Sequence, residues 1–331
     1  MSNAIIGQSG GPTSVINSSL CGVIQAVSHS KSIGKVLGMR YGIEGFLRDE
    51  VIDLSGEEQQ VIEGLKQTPS SALGSCRYKL KDEDFPPLLE KLKRYAVGYV
   101  FLIGGNDTMD TIHRLEAYCR QKNYPLCGVG IPKTVDNDLF GTDHTPGFPS
   151  AARYIAVSVQ QAGQLARDMK RVDQFAVFQS IGRDAGWLAA SSALARRRDD
   201  DAPHLIYLPE RRITPTKVLA EVKECIDSFG WCYIVCGEGV LWEDGTPVSA
   251  ARVKDSFSNI EFGAMGGGSA ALNLHTLIRE NMKLRGEFQI TESLPMCAID
   301  RAAQVDLDEA YRCGVKAVEF AEKGTGGVMV S

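Results

Sequence analysis

Three short apolar runs that each end in a glycine-rich or polar turn are the sequence feature that most restricts the fold. They are residues 4–7, 97–103 and 126–131. After the first turn, apolar residues recur at helical spacing, as at Val15, Leu20 and Val23, and a similar stripe follows the second turn. Strand, turn and helix in succession predict repeating β-α-β units and therefore a mainly parallel sheet.

The second half of the chain continues this order of elements. A helical pattern covers 150–169, an apolar strand follows at 175–178, and another strand at 233–236 ends in a Gly-Glu-Gly turn. A length of 331 residues also favours more than one hydrophobic core. We therefore predict an α/β fold with a first domain at 1–140, a second at 141–265, and a C-terminal segment, 266–331, that packs back across both.

Composition excludes several classes of protein. Hydrophobic residues make up 44% and charged residues 23%, which is typical of globular proteins. The net charge of -5 and the lack of a long basic run argue against a nucleic-acid partner. The nine cysteines form no CxxC pair and resemble reduced core thiols, and the sequence has neither a leader pattern nor an apolar stretch of membrane-spanning length. These features predict a cytoplasmic protein with no nucleic-acid and no membrane partner.

The loops that follow the predicted strands contain the residue types that phosphoryl transfer requires. Such loops meet at the carboxyl ends of parallel strands. Glycine turns offer backbone N–H groups to phosphate oxygens, Arg77 and Lys133 offer cations, and Asp136 and Asp138 can bind a metal or accept a proton. Each loop alone is equally explained as a tight or solvated turn, and no Walker or GxGxxG sequence is present. Together the loops indicate phosphoryl transfer.

Eight segments, taken in order, make the chain resemble the phosphofructokinase family, and within it the pyrophosphate-dependent branch. They are GQSGGPT (7–13), LGSCRYKL (73–80), IGGNDTMDT (103–111), GIPKTVDNDL (130–139), TDHTPGF (142–148), IGRDAGWLAA (181–190), LIYLPE (205–210) and DLDEAY (306–311). The resemblance implies two Rossmann-like three-layer α/β domains with the active site between them, a homodimer or homotetramer, and Mg²⁺ as cofactor. It implies a transferase that phosphorylates a small hydroxylated metabolite, as in glycolysis, with pyrophosphate or, alternatively, ATP as donor.

The resemblance also implies a role for each matched residue. Asp136 is expected to be the base that deprotonates the acceptor hydroxyl, and Lys133 and Arg77 are the other expected catalytic residues. The expected donor-binding residues are Gly10, Gly11, Arg77, Gly105, Asn106, Asp107, Thr108 and Lys133. The expected acceptor-binding residues are Thr134, Asp136, Asp138, Ile181, Gly182, Arg183, Glu238, Asp300 and Arg301. Asn106 and Asp138 are the expected metal ligands, although many relatives have an aspartate in place of Asn106.

Two positions favour pyrophosphate over ATP as the donor. ATP-using members of the family resembled here usually have glycine at the positions of Asp107 and Lys133. A side chain at the first position obstructs a nucleotide, and a lysine at the second can neutralise pyrophosphate. An ATP-dependent kinase of the same fold is the alternative.

The expected acceptor site departs from the family pattern. Pyrophosphate-type relatives have an arginine and a histidine, which help to hold the 6-phosphate of fructose 6-phosphate, where this chain has Met296 and Asp300. Gln179 also occupies a position that is usually acidic, while Arg301 lies one residue beyond the lost histidine. We therefore expect a sugar or sugar-like acceptor with an altered clamp for the 6-phosphate; a catalytically inactive regulatory paralogue is a further alternative.

Overall fold

The computed structural model describes residues 1–249, 253–254, 260–261 and 268–331. The chain divides into two compact units. The first contains Met1–Pro149 and Met296–Ser331, and the second contains Ser150–Pro295.

The first unit is built on a six-stranded sheet. Its strands are β1 (Ser2–Gln8), β2 (Ile33–Met39), β3 (Val51–Asp53), β4 (Val97–Gly104), β5 (Cys127–Pro132) and β12 (Val328–Met329). Their order across the sheet is β12-β5-β4-β1-β2-β3. All neighbours are parallel except β3, which is antiparallel to β2. The carboxyl ends of β1, β4 and β5 therefore lie side by side at one edge of the sheet.

Helices cover both faces of this sheet. They are α1 (Ile16–His29), α2 (Gly42–Leu47), α3 (Gln59–Gly64), α4 (Phe85–Arg94), α5 (Asn106–Gln121) and α10 (Gln304–Glu322), with 3-10 turns at Leu65–Gln67, Asp82–Asp84 and Ile299–Arg301. Successive side chains of a strand point to opposite faces. Phe101 and Ile103 accordingly pack against α1 and α10, whereas Val100 and Leu102 pack against α4 and α5. The first unit thus has three layers.

The second unit is built on a parallel four-stranded sheet of order β11-β6-β8-β7. Its strands are β6 (Phe175–Ser180), β7 (Leu205–Tyr207), β8 (Cys232–Gly237) and β11 (Gly286–Ile290). The helices are α6 (Phe148–Asp168), which begins at the end of the first unit, α7 (Trp187–Ser191), α8 (Pro215–Phe229) and α9 (Ala270–Met282), with a 3-10 turn at Ser192–Ala195. Two further strands, β9 (Val253–Lys254) and β10 (Ile260–Glu261), form an antiparallel pair.

The predicted α/β fold class is confirmed, and the structure divides the chain at different residues from the predicted boundaries. Residues 268–295 lie in the second unit because β11 pairs with β6. Residues 296–331 lie in the first unit, where α10 packs against α1. The predicted boundary between residues 265 and 266 lies outside the described residues. None of the described helices is both long and apolar enough to cross a membrane.

Candidate active site

The turn after β1 is tied to the segment that carries Arg77. Gly10 has a positive φ of 75°, a conformation that glycine adopts without strain. Its N–H donates to the carbonyl of Cys76 at 2.9 Å, and the Ser75 hydroxyl donates to the Gly10 carbonyl at 2.5 Å. Arg77 follows directly and is exposed. The structure therefore brings the predicted Gly10 and Arg77 together.

Two buried amide side chains, which none of the sequence motifs includes as a predicted site residue, bind the backbone of the segment before Arg77. Gln8 and Asn17 are fully buried and hydrogen bond to each other at 2.8 Å. The Leu73 N–H donates to Gln8 Oε1, and the Ala72 N–H donates to Asn17 Oδ1, both at 2.9 Å. The sequence signal for this contact is a glutamine at the end of a buried strand, because a buried polar side chain requires a hydrogen-bond partner.

The turn after β4 leads directly into α5, whose first residues are Asn106 and Asp107. Gly104 is needed where it stands, since a Cβ atom there would overlap the side chain of buried Thr108. Asn106 and Asp107 are exposed in the first turn of α5, where a helix N-terminus favours anions. The Asp107 carboxylate is 3.2 Å from the Lys79 ammonium group.

Lys133 joins the loops that follow β1, β4 and β5. Its side chain is only 3% exposed, and its ammonium group donates to the Gly11 carbonyl at 2.7 Å. A Cβ atom at Gly10 would lie 3.1 Å from the same nitrogen. The Lys133 backbone N–H donates to the Gly104 carbonyl at 3.0 Å. A cation is thus buried beside the glycine turn, close enough to contact a phosphate group bound there.

The carboxylates expected to act on the acceptor and metal lie in the segment after Lys133. Asp136 is half-buried, and its N–H donates to Thr134 Oγ1 at 3.1 Å. Asp138 is exposed and accepts a hydrogen bond from the Asn106 side-chain amide at 3.1 Å. The two residues proposed as metal ligands are therefore neighbours. Among the described residues, no group of three or more His, Cys, Asp or Glu side chains could hold a metal ion.

Residues 296–301 also contribute to the first unit. A Cβ atom at Gly11 would overlap the Met296 methyl group, so the thioether lies directly on the glycine turn. Burial raises the pKa of the Cys297 thiol, although Ser70 and the Lys133 cation oppose the shift. Asp300 is exposed, with its carboxylate 3.5 Å from Arg301 Nε. Met296 departs from the family pattern in the sequence, whereas its contact with Gly11 is visible only in the structure.

The second unit holds a separate set of predicted acceptor residues, Ile181, Gly182, Arg183 and Glu238. Glu238 is 6% exposed, and its Oε1 atom accepts the N–H groups of Gly182 at 3.1 Å and Arg183 at 2.8 Å. Gly239 is required beside this loop, because a Cβ atom there would overlap the Arg183 carbonyl. The Glu238 side chain therefore fixes the loop after β6 by binding the backbone N–H groups of that loop. Gln179 is buried and accepts hydrogen bonds from Ser269 and the N-terminus of α9.

The arrangement in the first unit can support transfer of a phosphoryl group. The Lys133 ammonium group is buried against the Gly10-Gly11 turn, the Lys133 backbone is hydrogen bonded to Gly104, and Asp136 follows three residues later in the chain. Phosphoryl transfer depends mainly on positioning and charge stabilisation, and such groups supply both.

Comparison with known proteins identifies what the chain is similar to. A family model described as Phosphofructokinase matches residues 3–321. The pyrophosphate–fructose 6-phosphate 1-phosphotransferase of Halomonas elongata is 38% identical, over 99% of this chain and 78% of that protein. The sulfofructose kinase of Alkalicoccus urumqiensis is 33% identical, over 98% of this chain and 82% of that protein.

Solved structures agree with the sequence comparisons. The pyrophosphate-dependent phosphofructokinase of Marinobacter aquaeolei superimposes with a TM-score of 0.88 at 35% identity, covering 99% of this chain and 78% of that one. The corresponding enzyme of Nitrosospira multiformis gives a TM-score of 0.87 at 36% identity, covering 98% and 78%.

Proposed function

Since the chain belongs to the phosphofructokinase family, we propose that it transfers a phosphoryl group from pyrophosphate to a hydroxyl group of a sugar or sugar-like metabolite. The buried Lys133 ammonium group beside the Gly10-Gly11 turn is the observation that carries the proposal. A pyrophosphate bound at the turn would lie beside this ammonium group and could accept a charge-assisted hydrogen bond from it.

The reaction uses residues of the first unit in distinct roles. The turn after β1, Arg77 and Lys133 hold the donor. Asp136 takes the proton from the acceptor hydroxyl as the hydroxyl oxygen bonds to the transferred phosphorus. The bond between that phosphorus and the bridging oxygen of pyrophosphate breaks, and orthophosphate leaves. Asp136 therefore acts as a general base, a role that typically contributes a factor of about 10²–10⁴ to the rate.

The general-base role is tested by Asp136→Asn. We expect kcat to fall by about 10²–10⁴ while pyrophosphate binding, measured by calorimetry, stays within about twofold. Asp143→Asn is the matched control, because Asp143 is an exposed carboxylate of the same loop. An unchanged rate in Asp136→Asn would remove this residue from the mechanism.

Mg²⁺ is the metal we propose for the site. This ion usually binds one or two protein carboxylates together with substrate phosphates and water. Asp138 offers a carboxylate, and the Asn106 side chain that donates to it lies alongside. When bound, Mg²⁺ would neutralise donor charge. Measuring turnover against Mg²⁺ concentration in Asp138→Asn tests this, and a response equal to wild type would exclude Asp138 as a ligand.

Pyrophosphate rather than ATP is the proposed donor because this chain has charged side chains at the two positions where ATP-using family members usually have glycine. The Asp107 carboxylate is held near the start of α5 by Lys79 at 3.2 Å, and Lys133 is buried beside the turn. Parallel assays with pyrophosphate and ATP should give turnover with pyrophosphate only. Turnover with ATP that is insensitive to Lys133→Gly would instead support the ATP-dependent alternative.

The proposed acceptor lacks a phosphate at the place where fructose 6-phosphate carries one. An uncharged thioether, Met296, occupies the position of the expected arginine and lies on Gly11, while the Asp300 carboxylate faces Arg301. A charge-assisted hydrogen bond contributes about 1.5–3 kcal/mol, so each lost contact would weaken a 6-phosphate about 10- to 150-fold. A similar protein named sulfofructose kinase supports an acceptor other than fructose 6-phosphate.

A panel of acceptors assayed with pyrophosphate tests this proposal. It contains fructose 6-phosphate, its 6-sulfonate counterpart and unphosphorylated ketoses, and orthophosphate release is measured. We expect kcat/KM for fructose 6-phosphate to be at least about tenfold below that of the best acceptor. Met296→Arg combined with Asp300→His should reverse this preference, whereas Met296→Leu should not. Preference of the wild type for fructose 6-phosphate contradicts the altered clamp, and no turnover with any acceptor supports the inactive paralogue.

A further inference from the structure

The loop that carries Asp136 is attached to the first turn of α10. The carboxylate of Asp306 is fully buried, and Oδ1 accepts the Gly147 N–H at 2.9 Å. A buried carboxylate is costly unless it is hydrogen bonded. The position of Asp306 in the first turn of α10 reduces that cost, because the helix N-terminus favours negative charge.

Gly147 passes this attachment on to Asp136. Thr134 and Gly147 form an isolated parallel bridge, and the Thr134 N–H donates to the Pro146 carbonyl at 3.3 Å. Thr134 in turn accepts the Asp136 N–H through Oγ1 at 3.1 Å. Gly147 has a φ of 109°, and a Cβ atom there would lie 2.9 Å from the Thr13 methyl group. Only glycine fits this bridge, so the path from Asp306 to Asp136 is short and well defined.

A second attachment lies one turn further along α10. His144 Nε2 and Glu309 Oε2 are 2.6 Å apart. Residues three apart on a helix share a face, so Asp306 and Glu309 contact the same loop. Asn137 closes this loop, because its side chain donates to the Asp143 carbonyl at 3.2 Å and accepts the Thr145 N–H at 2.8 Å.

Helix α10 is itself fixed to the element that follows the glycine turn. The Ser18 hydroxyl of α1 donates to the Leu307 carbonyl of α10 at 2.7 Å. Gly22 and Gly314 let the two helix backbones approach closely, since a Cβ atom on either would overlap a carbonyl oxygen of the other helix. The Asp136 loop is hydrogen bonded to α10, and the Gly10 turn leads into α1. Both segments are therefore attached to the same pair of packed helices.

We propose that Asp306 is a positioning residue for the general base Asp136, and that Glu309 supports it through His144. This inference rests on the proposed function, because it takes Asp136 as the base. Displacing a reacting group by about 1 Å can cost about 10²-fold in rate. The hydrogen bond from Gly147 ties Asp306 to the loop of the base, so its loss should reduce kcat more than it weakens pyrophosphate binding.

Three variants of α10 test the proposal in the full-length protein. Asp306→Ala should lower kcat about 10- to 100-fold, with the Kd of pyrophosphate unchanged within about twofold. Asp306→Asn retains an acceptor oxygen and should recover most of the rate. Asp308→Ala is the matched control, because this carboxylate is exposed on the same helix and accepts a hydrogen bond from Gln304 at 2.8 Å, and it should behave as wild type. An unchanged kcat in Asp306→Ala would overturn the proposal, as would an equal loss of pyrophosphate binding.

Two additional measurements keep the test decisive. If Asp306→Ala does not fold, Glu309→Ala is used instead; it should lower kcat about two- to fivefold, the range of a partly exposed pair, and Glu309→Gln should restore it. No change in Glu309→Ala would then refute the proposal. Amide exchange of 134–147 should be faster in Asp306→Ala than in Asp308→Ala. If the wild type transfers no phosphoryl group, the proposed function fails, and the exchange result alone decides whether α10 fixes the loop; equal exchange rejects it.

Discussion

Replacing Gly10 by alanine should weaken pyrophosphate binding more than it weakens the fold. The φ of 75° at Gly10 costs an L-residue about 1–2 kcal/mol. The added Cβ atom would also lie 3.1 Å from the Lys133 ammonium nitrogen, closer than an ordinary contact. That nitrogen donates to the Gly11 carbonyl at 2.7 Å, so a shift of a few tenths of an ångström would strain this hydrogen bond.

The two effects can be separated with a matched variant. Gly141 has a similar φ of 86°, but a Cβ atom there would meet nothing within 4 Å. Gly141→Ala and Gly10→Ala should therefore each lose about 1–2 kcal/mol of unfolding free energy. Only Gly10→Ala displaces the cation, and loss of a charge-assisted contact of about 1.5–3 kcal/mol corresponds to a 10- to 150-fold weaker Kd.

Calorimetric titration with pyrophosphate, together with urea unfolding, provides the assay. We expect at least about tenfold weaker binding in Gly10→Ala and less than twofold in Gly141→Ala. In a Lys133→Met background, Gly10→Ala should have no further effect on binding, because contacting residues are not additive. Equal affinities in Gly10→Ala and Gly141→Ala would refute the reasoning that Lys133 and the turn form one donor site.

Two further predictions concern stability. Gly22→Ala should destabilise the protein by about 1–3 kcal/mol, because its Cβ atom would overlap the Tyr311 carbonyl across the helix pair. Gly64→Ala, a helical position with nothing within 4 Å, should instead stabilise it by about 0.5–1 kcal/mol, and urea unfolding that ranks the two variants the other way would contradict the packing argument. Burial lowers the pKa of His204 from 6.5 to about 4, so the unfolded chain binds more protons between these pH values, and stability should fall by at most about 3 kcal/mol as the pH drops from 6.5 to 4. His204→Asn, which keeps an acceptor for the Tyr233 N–H, should be less sensitive to pH over this range, and an identical pH dependence would exclude His204 as the cause.

The strands and their terminal loops could be predicted because the signals are local. The apolar runs at 97–103 and 175–178 are found as β4 and β6, each followed by the expected turn. The alternation of side chains between the two faces of the sheet depends only on the period of the strand. Lys133, Asp136 and the glycine turn were predicted to share a site, and the structure brings Lys133 against Gly11.

The contacts that fix these residues could not be predicted from local patterns. Asn17 and Gln8 accept hydrogen bonds from the segment before Arg77, which lies 55 and 65 residues further along the chain. Glu238 accepts a backbone hydrogen bond from the loop after β6, which lies 56 residues before it. Such hydrogen bonds join positions far apart in sequence. They become favourable only when packing buries these groups and removes the water molecules that would otherwise bind them.

The sequence by itself determined the α/β class, the order of the elements and the residue types available for phosphoryl chemistry, because helical and strand periods and turn chemistry act over a few neighbouring residues. The tertiary structure alone decided that residues 296–331 return to the first unit, that Met296 lies on Gly11, and that a buried Asp306 holds the loop of Asp136. Each of these contacts depends on surfaces that come together only when distant segments pack. A local sequence pattern therefore cannot predict the free energy that such packing contributes.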